Sequence, residues 1–141
     1  MEEFKFPASI QLRLDWSELD LLGHINNVMY FKYLQAARIG YAELVGLRPE
    51  SPDGIGFILA DTRCSFKTPL YFPGTITVRT SVVFIRNTSF GLLHHIINED
   101  GIVAAEGHDV IVLYNFADKI KTEIGPELRQ RIEQLEGRKY E

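Results

Sequence analysis

One cysteine, Cys64, stands in a chain of 141 residues, so no disulfide can form within it. A disulfide-stapled secreted scaffold is excluded, and a reducing compartment is the natural setting. Cations are outnumbered as well: 15 Lys and Arg against 19 Asp and Glu leave a formal charge of −4. Without a basic excess there is no general footprint for nucleic acid, although a local cationic patch for a small phosphorylated ligand remains open. No stretch approaches the ~18 uninterrupted apolar residues of a membrane helix. The opening "MEEFKF" has neither the cationic leader nor the apolar run of a signal peptide. Together these absences point to a soluble cytoplasmic protein with no nucleic-acid or membrane partner. Internal repeats, Ser/Gly linkers and low-complexity tracts are missing too, so residues 1–141 are expected to form one domain with a sizeable core.

The residues present sort into elements by their periodicity. Ser9 to Leu14 alternate polar and apolar, as a half-buried strand does. Residues 28–45, "VMYFKYLQAARIGYAELV", are too long for a typical strand and suit a helix, with Asn26 or Asn27 as cap and Gly46 as terminator. Apolar side chains lie nearly all round it, which predicts a largely buried helix. Four strands follow: "GFILADTRCSFKT", "GTITVRTSVVFI", "FGLLHHIIN" and "IVAAEGHDVIVLYN". In the second, Ile76, Val78, Thr80, Val82 and Phe84 are expected on one face. Asp100-Gly101 signals a hairpin between the third and fourth, and Gly107 suggests a bulge in the last. A short amphipathic helix over about 126–136 closes the chain, with Pro126 at its first position and Leu128, Ile132 and Leu135 on one face. Strand, apolar helix and four successive strands make an α+β architecture: a curved antiparallel sheet around a long central helix. The edges of such a sheet need covering, and pairing with a second copy is one route.

The chemistry gathers just before the long helix, in "SELDLLGHINN". Asp20 is suited to act as general base toward water or as nucleophile toward an electrophilic carbonyl. The first turn of the helix offers unpaired backbone N–H groups and a partial positive charge, suited to hold an oxyanion near Asn27. Gly23 permits a tight loop, and His24 positions a substrate or orients that loop. The plainer reading competes with this one: asparagines before a helix are common caps, and Asn26 and Asn27 need be nothing more. Spacing alone leaves both readings open.

Other constellations fall away more readily. His94 and His95 are adjacent in a strand and point to opposite faces; His108 and Asp109 do the same. No His, Cys or carboxylate spacing suggests a metal site. The chain has no G-x-S-x-G elbow and no phosphate-binding glycine loop, and Cys64 reads as a strand residue.

The stretch "ELDLLGHINNVMYFKYLQAAR" resembles the signature of hotdog-fold acyl-CoA thioesterases of the 4-hydroxybenzoyl-CoA thioesterase-like family. Glu18, Asp20, Gly23, His24, Asn26, Asn27, Tyr30 and Arg38 fill the pattern's places. Ile25 departs from the usual Val, Glu18 from the commoner Asp, and Asp15 from an Arg, while Trp16 matches. The resemblance implies a hotdog fold and hydrolysis of an acyl-CoA to free acid and CoA, with no metal or organic cofactor. By carry-over, Asp20 is the catalytic carboxylate and the N–H near Asn27 faces the thioester oxygen. A second hotdog group sets its carboxylate within the long helix, but here only Glu43 lies there, far along. Arg86 resembles the place where relatives contact the nucleotide, with Ser89 and Lys67 as further candidates for substrate contact. Tyr30 is a candidate for lining the acyl pocket, with core packing as its alternative. A homodimer, or a homotetramer of hotdog dimers, is the expected assembly. Two further readings stand beside this one: a thioesterase for acyl groups on acyl carrier protein, and a non-catalytic acyl-CoA-binding protein.

Overall fold

The computed structural model describes residues 5–48 and 54–141. Six strands and two α-helices follow in the order β1 (Ala8–Arg13), α1 (Asn27–Leu44), β2 (Ile55–Phe66), β3 (Thr75–Ile85), β4 (Ser89–Ile97), β5 (Val103–Asn115), β6 (Ile120–Lys121) and α2 (Pro126–Glu136). A single 3-10 turn at Trp16–Glu18 precedes α1. The strands form one antiparallel sheet in the order β1-β3-β4-β5-β2, with β6 also on β5. This is the α+β architecture that the element pattern called for.

α1 lies across one face of that sheet. Gly40 lets it approach Ile10 of β1, where an added Cβ would sit 3.3 Å from the Ile10 methyl. Gly107 of β5 sits beneath Leu34, and a Cβ there would come within 2.7 Å of its methyls. Gly107 was expected to mark a bulge, but register runs through it unbroken, pairing Cys64 on one side and His94 on the other. Close helix approach is what requires the glycine.

Two buried clusters divide the core along the helix. Toward its N-terminus, Tyr30, Tyr33, Leu34 and Ala37 pack on Ile76, Val78 and Ile96. Toward its C-terminus, Tyr41 and Val45 pack on Val82, Ile85 and Phe90, with Leu128 and Ile132 of α2 closing that end. Only one side of α1 is covered, because a single sheet layer reaches one side of a helix. Val28, Phe31 and Leu44 stay exposed, so the helix is less buried than its all-round apolar sequence predicts.

β3 departs from strict alternation. Its register on β4 slips between Val82 and Phe84, a bulge that carries Phe84 off the core face and brings Ile85 onto it. The Phe84 ring then covers Gly91 on the neighbouring strand. Beyond the end of β1, whose pairing with β3 stops at Ala8–Thr80, the Val82 amide donates to Glu136 at 2.9 Å, and its carbonyl accepts from Tyr140 at 2.7 Å. The chain end thus meets the hydrogen-bonding needs of the stretch of β3 that β1 leaves unpaired.

Candidate active site

The segment between β1 and α1 is built from local hydrogen bonds. Asp15 and Glu18 form a reciprocal capping box on the 3-10 turn. The chain then bridges Leu19 to Ile25, enclosing residues 20–24 as a tight loop. The Asp20 amide donates to the His24 carbonyl at 2.8 Å. In return, Asp20 Oδ1 accepts the amides of Leu22 at 2.8 Å and His24 at 3.2 Å. Gly23 adopts φ of +83°, the left-handed conformation that lets the loop close. Asp20 is half-buried, and its second oxygen accepts no hydrogen bond from the described residues. A carboxylate tethered by one oxygen, with the other open, is held in position yet able to take a proton.

α1 begins where this loop ends. Asn26 is its cap: the side chain accepts from the Val28 amide at 3.0 Å, and its carbonyl accepts from Met29 at 2.9 Å. Asn27 is the first helical residue, and its N–H has no acceptor among the described residues. A side-chain cap and an open backbone N–H donor therefore coexist at one helix start, on two adjacent asparagines.

His24 pairs with Tyr71 in an isolated bridge, and their rings meet edge to face at 5.1 Å. The Ile25 amide donates to Leu70 at 2.9 Å. Residues 67–71 are thereby drawn against the loop, and Lys67 comes with them, half exposed and 4.0 Å from Glu106. Tyr30 lies deeper. It is 2% exposed, and its hydroxyl oxygen accepts the Leu70 amide at 3.2 Å. The hydroxyl thereby holds that segment from within the core.

Arg86 and Ser89 flank the β3–β4 turn, where the Arg86 amide donates to Ser89 at 2.7 Å and the guanidinium lies 4.2 Å over the Phe84 ring. That turn sits beyond Ile85 and Phe90, beside the C-terminal half of α1. Ile76 packs by the opposite end of the helix, and the run from Ile76 to Arg86, at ~3.3 Å per residue, spans roughly 30 Å. One protomer does not bring Arg86 to Asp20.

Sequence reasoning passed over a second polar cluster, beneath the middle of α1. Asp109 accepts from Thr62 at 2.7 Å through one oxygen and from Arg38 at 3.0 Å through the other. The same second oxygen lies 2.7 Å from His94 Nε2, and His94 Nδ1 is 2.8 Å from the Thr80 hydroxyl. His94 is fully buried and Asp109 is 2% exposed. Burial drives the Asp109 carboxyl upward, but His94, Thr62 and Arg38 outweigh it and hold the group below the usual carboxylate range. On the outer face of the sheet, His95 and His108 instead flank Glu106, at 3.8 and 3.7 Å. Among the described residues no group of three or more His, Cys, Asp or Glu side chains is placed to hold a metal. Cys64, beside Asp109, has its thiol pushed up to about 11 by burial and by that carboxylate, which fits a strand residue and not a nucleophile.

An antiparallel sheet wrapped on one long helix is the architecture of a hotdog protein. Residues 14–132 match the family model of the thioesterase-like superfamily, and the chain belongs to that family. It is a thioester hydrolase. Among solved structures, a gentisyl-coenzyme A thioesterase is 29% identical, with 89% of this chain and 99% of that one covered and a TM-score of 0.78. A thioesterase from Thermus thermophilus, solved with coenzyme A and zinc, is 27% identical over 94% of this chain and 96% of its own, at 0.81. A DHNA-CoA thioesterase from Staphylococcus aureus, 18% identical over 92% and 91%, shares the fold at 0.82. No curated protein sequence matches the chain. No helix among the described residues is long and apolar enough to cross a membrane.

Proposed function

We propose that the chain hydrolyses acyl-CoA thioesters with Asp20 as the catalytic carboxylate and the Asn27 N–H as oxyanion donor. The observation that carries this is the Asp20 side chain itself, fixed by two loop amides through one oxygen and open at the other. In the general-base route, Asp20 takes a proton from water as the water oxygen attacks the thioester carbonyl. The carbonyl oxygen becomes the oxyanion and moves onto the Asn27 N–H, a contact typically worth roughly 3–4 kcal/mol in the transition state. Collapse breaks the C–S bond, and the proton on Asp20 passes to the departing thiolate, leaving free acid and CoA thiol. In the nucleophilic route, the open oxygen attacks the carbonyl directly, and collapse breaks the C–S bond and expels CoA as thiolate, which takes a proton from water. Hydrolysis of the mixed anhydride then returns the Asp20 carboxylate and the free acid. His24 supports either route by closing the loop on Asp20 and packing on Tyr71.

The site is completed by a second copy of the chain. β2 is an edge strand of 12 residues, and the uncovered side of α1 adds Val28 and Phe31 to the exposed apolar surface. Antiparallel pairing of β2 with its copy about a twofold axis satisfies that edge. It also lets Arg86 and Ser89 of one protomer serve the nucleotide of a CoA whose thioester lies at Asp20 of the other. The gentisyl-coenzyme A relative, together with Phe31 and Phe66, 38% and 45% exposed near the helix start, makes aromatic acyl-CoAs the first substrates to try. The test is thiol release from a panel of aromatic and aliphatic acyl-CoAs. Release from at least one member is expected; silence across the panel, with CoA still bound, assigns the protein to binding without hydrolysis.

A further inference from the structure

The loop carrying Asp20 is rooted on a buried carboxylate two residues upstream. Glu18 is 5% exposed, and a buried carboxylate is tolerated only when its lone pairs are met. Here they are met from three directions. Oε1 accepts the Asp15 amide at 2.9 Å and the Tyr33 hydroxyl at 2.9 Å, while Oε2 accepts Lys32 Nζ at 3.1 Å. The Glu18 carbonyl accepts the amide of Asn26, the cap of α1, at 2.9 Å. Burial pushes this carboxyl upward, but the bonds from Asp15, Lys32 and Tyr33 prevail and hold it below its ordinary value.

These partners lie on the two sides of the reaction proposed above. Asp15 belongs to the turn that leads into the Asp20 loop, whereas Lys32 and Tyr33 belong to the first turns of the helix whose N-terminus presents Asn27. Glu18 is the side chain that ties one to the other. We infer that Glu18 is a positioning residue: it fixes the separation between the Asp20 carboxylate and the Asn27 N–H. Glutamate suits the task because its extra methylene lets one carboxylate return to its own turn and still reach across to α1. Misplacement of reacting groups by about 1 Å can cost on the order of a hundredfold in rate, so a clamp outside the chemistry still governs it.

The inference rests on the reading of Asp20, and a double-mutant cycle separates the two. Glu18→Gln and Tyr33→Phe are each made in the wild-type chain and in Asp20→Asn, and kcat, KM and Tm are measured on an acyl-CoA that the wild type turns over. Glu18→Gln is expected to lower kcat roughly tenfold with KM within about twofold, and Tyr33→Phe by a smaller factor in the same direction. In the Asp20→Asn background neither should lower the residual rate further, since the group being positioned is gone. Amide exchange at Leu22 and His24, the donors to Asp20, should quicken in both single variants. Tyr33→Phe removes one hydroxyl and keeps the ring, so it answers the question even where Glu18→Gln folds poorly. Unchanged kcat in both single variants, or an equal loss in both backgrounds, overturns the positioning role and leaves Asp20 in place. Full activity of Asp20→Asn alone removes the proposed mechanism and this inference with it.

Discussion

Asp20 and Asp109 are both hydrogen-bonded aspartates beside α1, and they have opposite characters. Asp109 is sealed under the middle of the helix with both oxygens occupied, and its network joins α1 to β2, β4 and β3 through Arg38, Thr62, His94 and Thr80. Asp20 sits at the helix entrance with one oxygen tethered and one open. His94 and Asp109, with a hydroxyl at the far side of the imidazole, look on paper like the more elaborate catalytic group. Yet the buried acceptors there are met, whereas the plainer Asp20 keeps one oxygen without a donor among the described residues. The difference lies in the unspent valence, not in the number of hydrogen bonds. A fully satisfied buried network fixes one arrangement of helix on sheet; a partly satisfied, half-exposed carboxylate is free to react.

That contrast is open to direct attack. Asp20→Asn removes a proton acceptor and little packing, so kcat should fall about 10²- to 10⁴-fold while Tm moves by no more than a few degrees. Asp109→Ala should do the reverse. It leaves Arg38 and His94 buried without their carboxylate, which typically costs about 3–5 kcal/mol of stability and shows as a large drop in the urea midpoint. A variant that stays folded in mild conditions should retain far more activity than Asp20→Asn.

Acid titration sharpens the same comparison with a smaller effect. The Asp109 carboxyl is held below its ordinary 3.8 in the fold, so its contribution to stability is complete above that unfolded value. It is lost as pH falls through the lower folded value. The Tm gap between wild type and Asp109→Asn should therefore narrow steadily below about pH 4. A constant gap down to pH 2 contradicts the assignment.

The smallest effect concerns the reach of the site. Arg86→Ala should raise KM several-fold and leave kcat nearly untouched, as loss of a phosphate contact does. Mixing Asp20→Asn chains with Arg86→Ala chains should restore about a quarter of the wild-type sites at low substrate, because random pairing places one intact site in each mixed dimer. Failure to gain activity after subunit exchange, with dimers present, contradicts the shared site.

Much of this organisation was legible in the sequence, for local reasons. Asn26 and Gly46 bracket α1 because cap and left-handed stop are properties of single residues. Asp100-Gly101 marks its hairpin in the same way, with Gly101 at φ of +81°. The Asp20–Asn27 arrangement was visible because all its parts lie within one short stretch. Register was not. That His94 and His95 face opposite ways follows from alternation, but that His94 meets Asp109 depends on how β4 slides along β5. Arg38 and Thr62 then arrive from two further elements, and no local pattern announces their convergence. The bulge at Val83 likewise inverted the face expected for Phe84. Glu18 was visible as part of a pattern, but its role needed the distances to Lys32 and Tyr33.

The central claim is that the open oxygen of Asp20 performs the chemistry. Single-turnover hydrolysis of an aromatic acyl-CoA by wild type and Asp20→Asn, with CoA affinity measured on the same preparations, tests it most directly. The account predicts CoA affinity within about threefold and a hydrolytic rate at least a hundredfold lower in the variant. Hydrolysis by Asp20→Asn at the wild-type rate contradicts it.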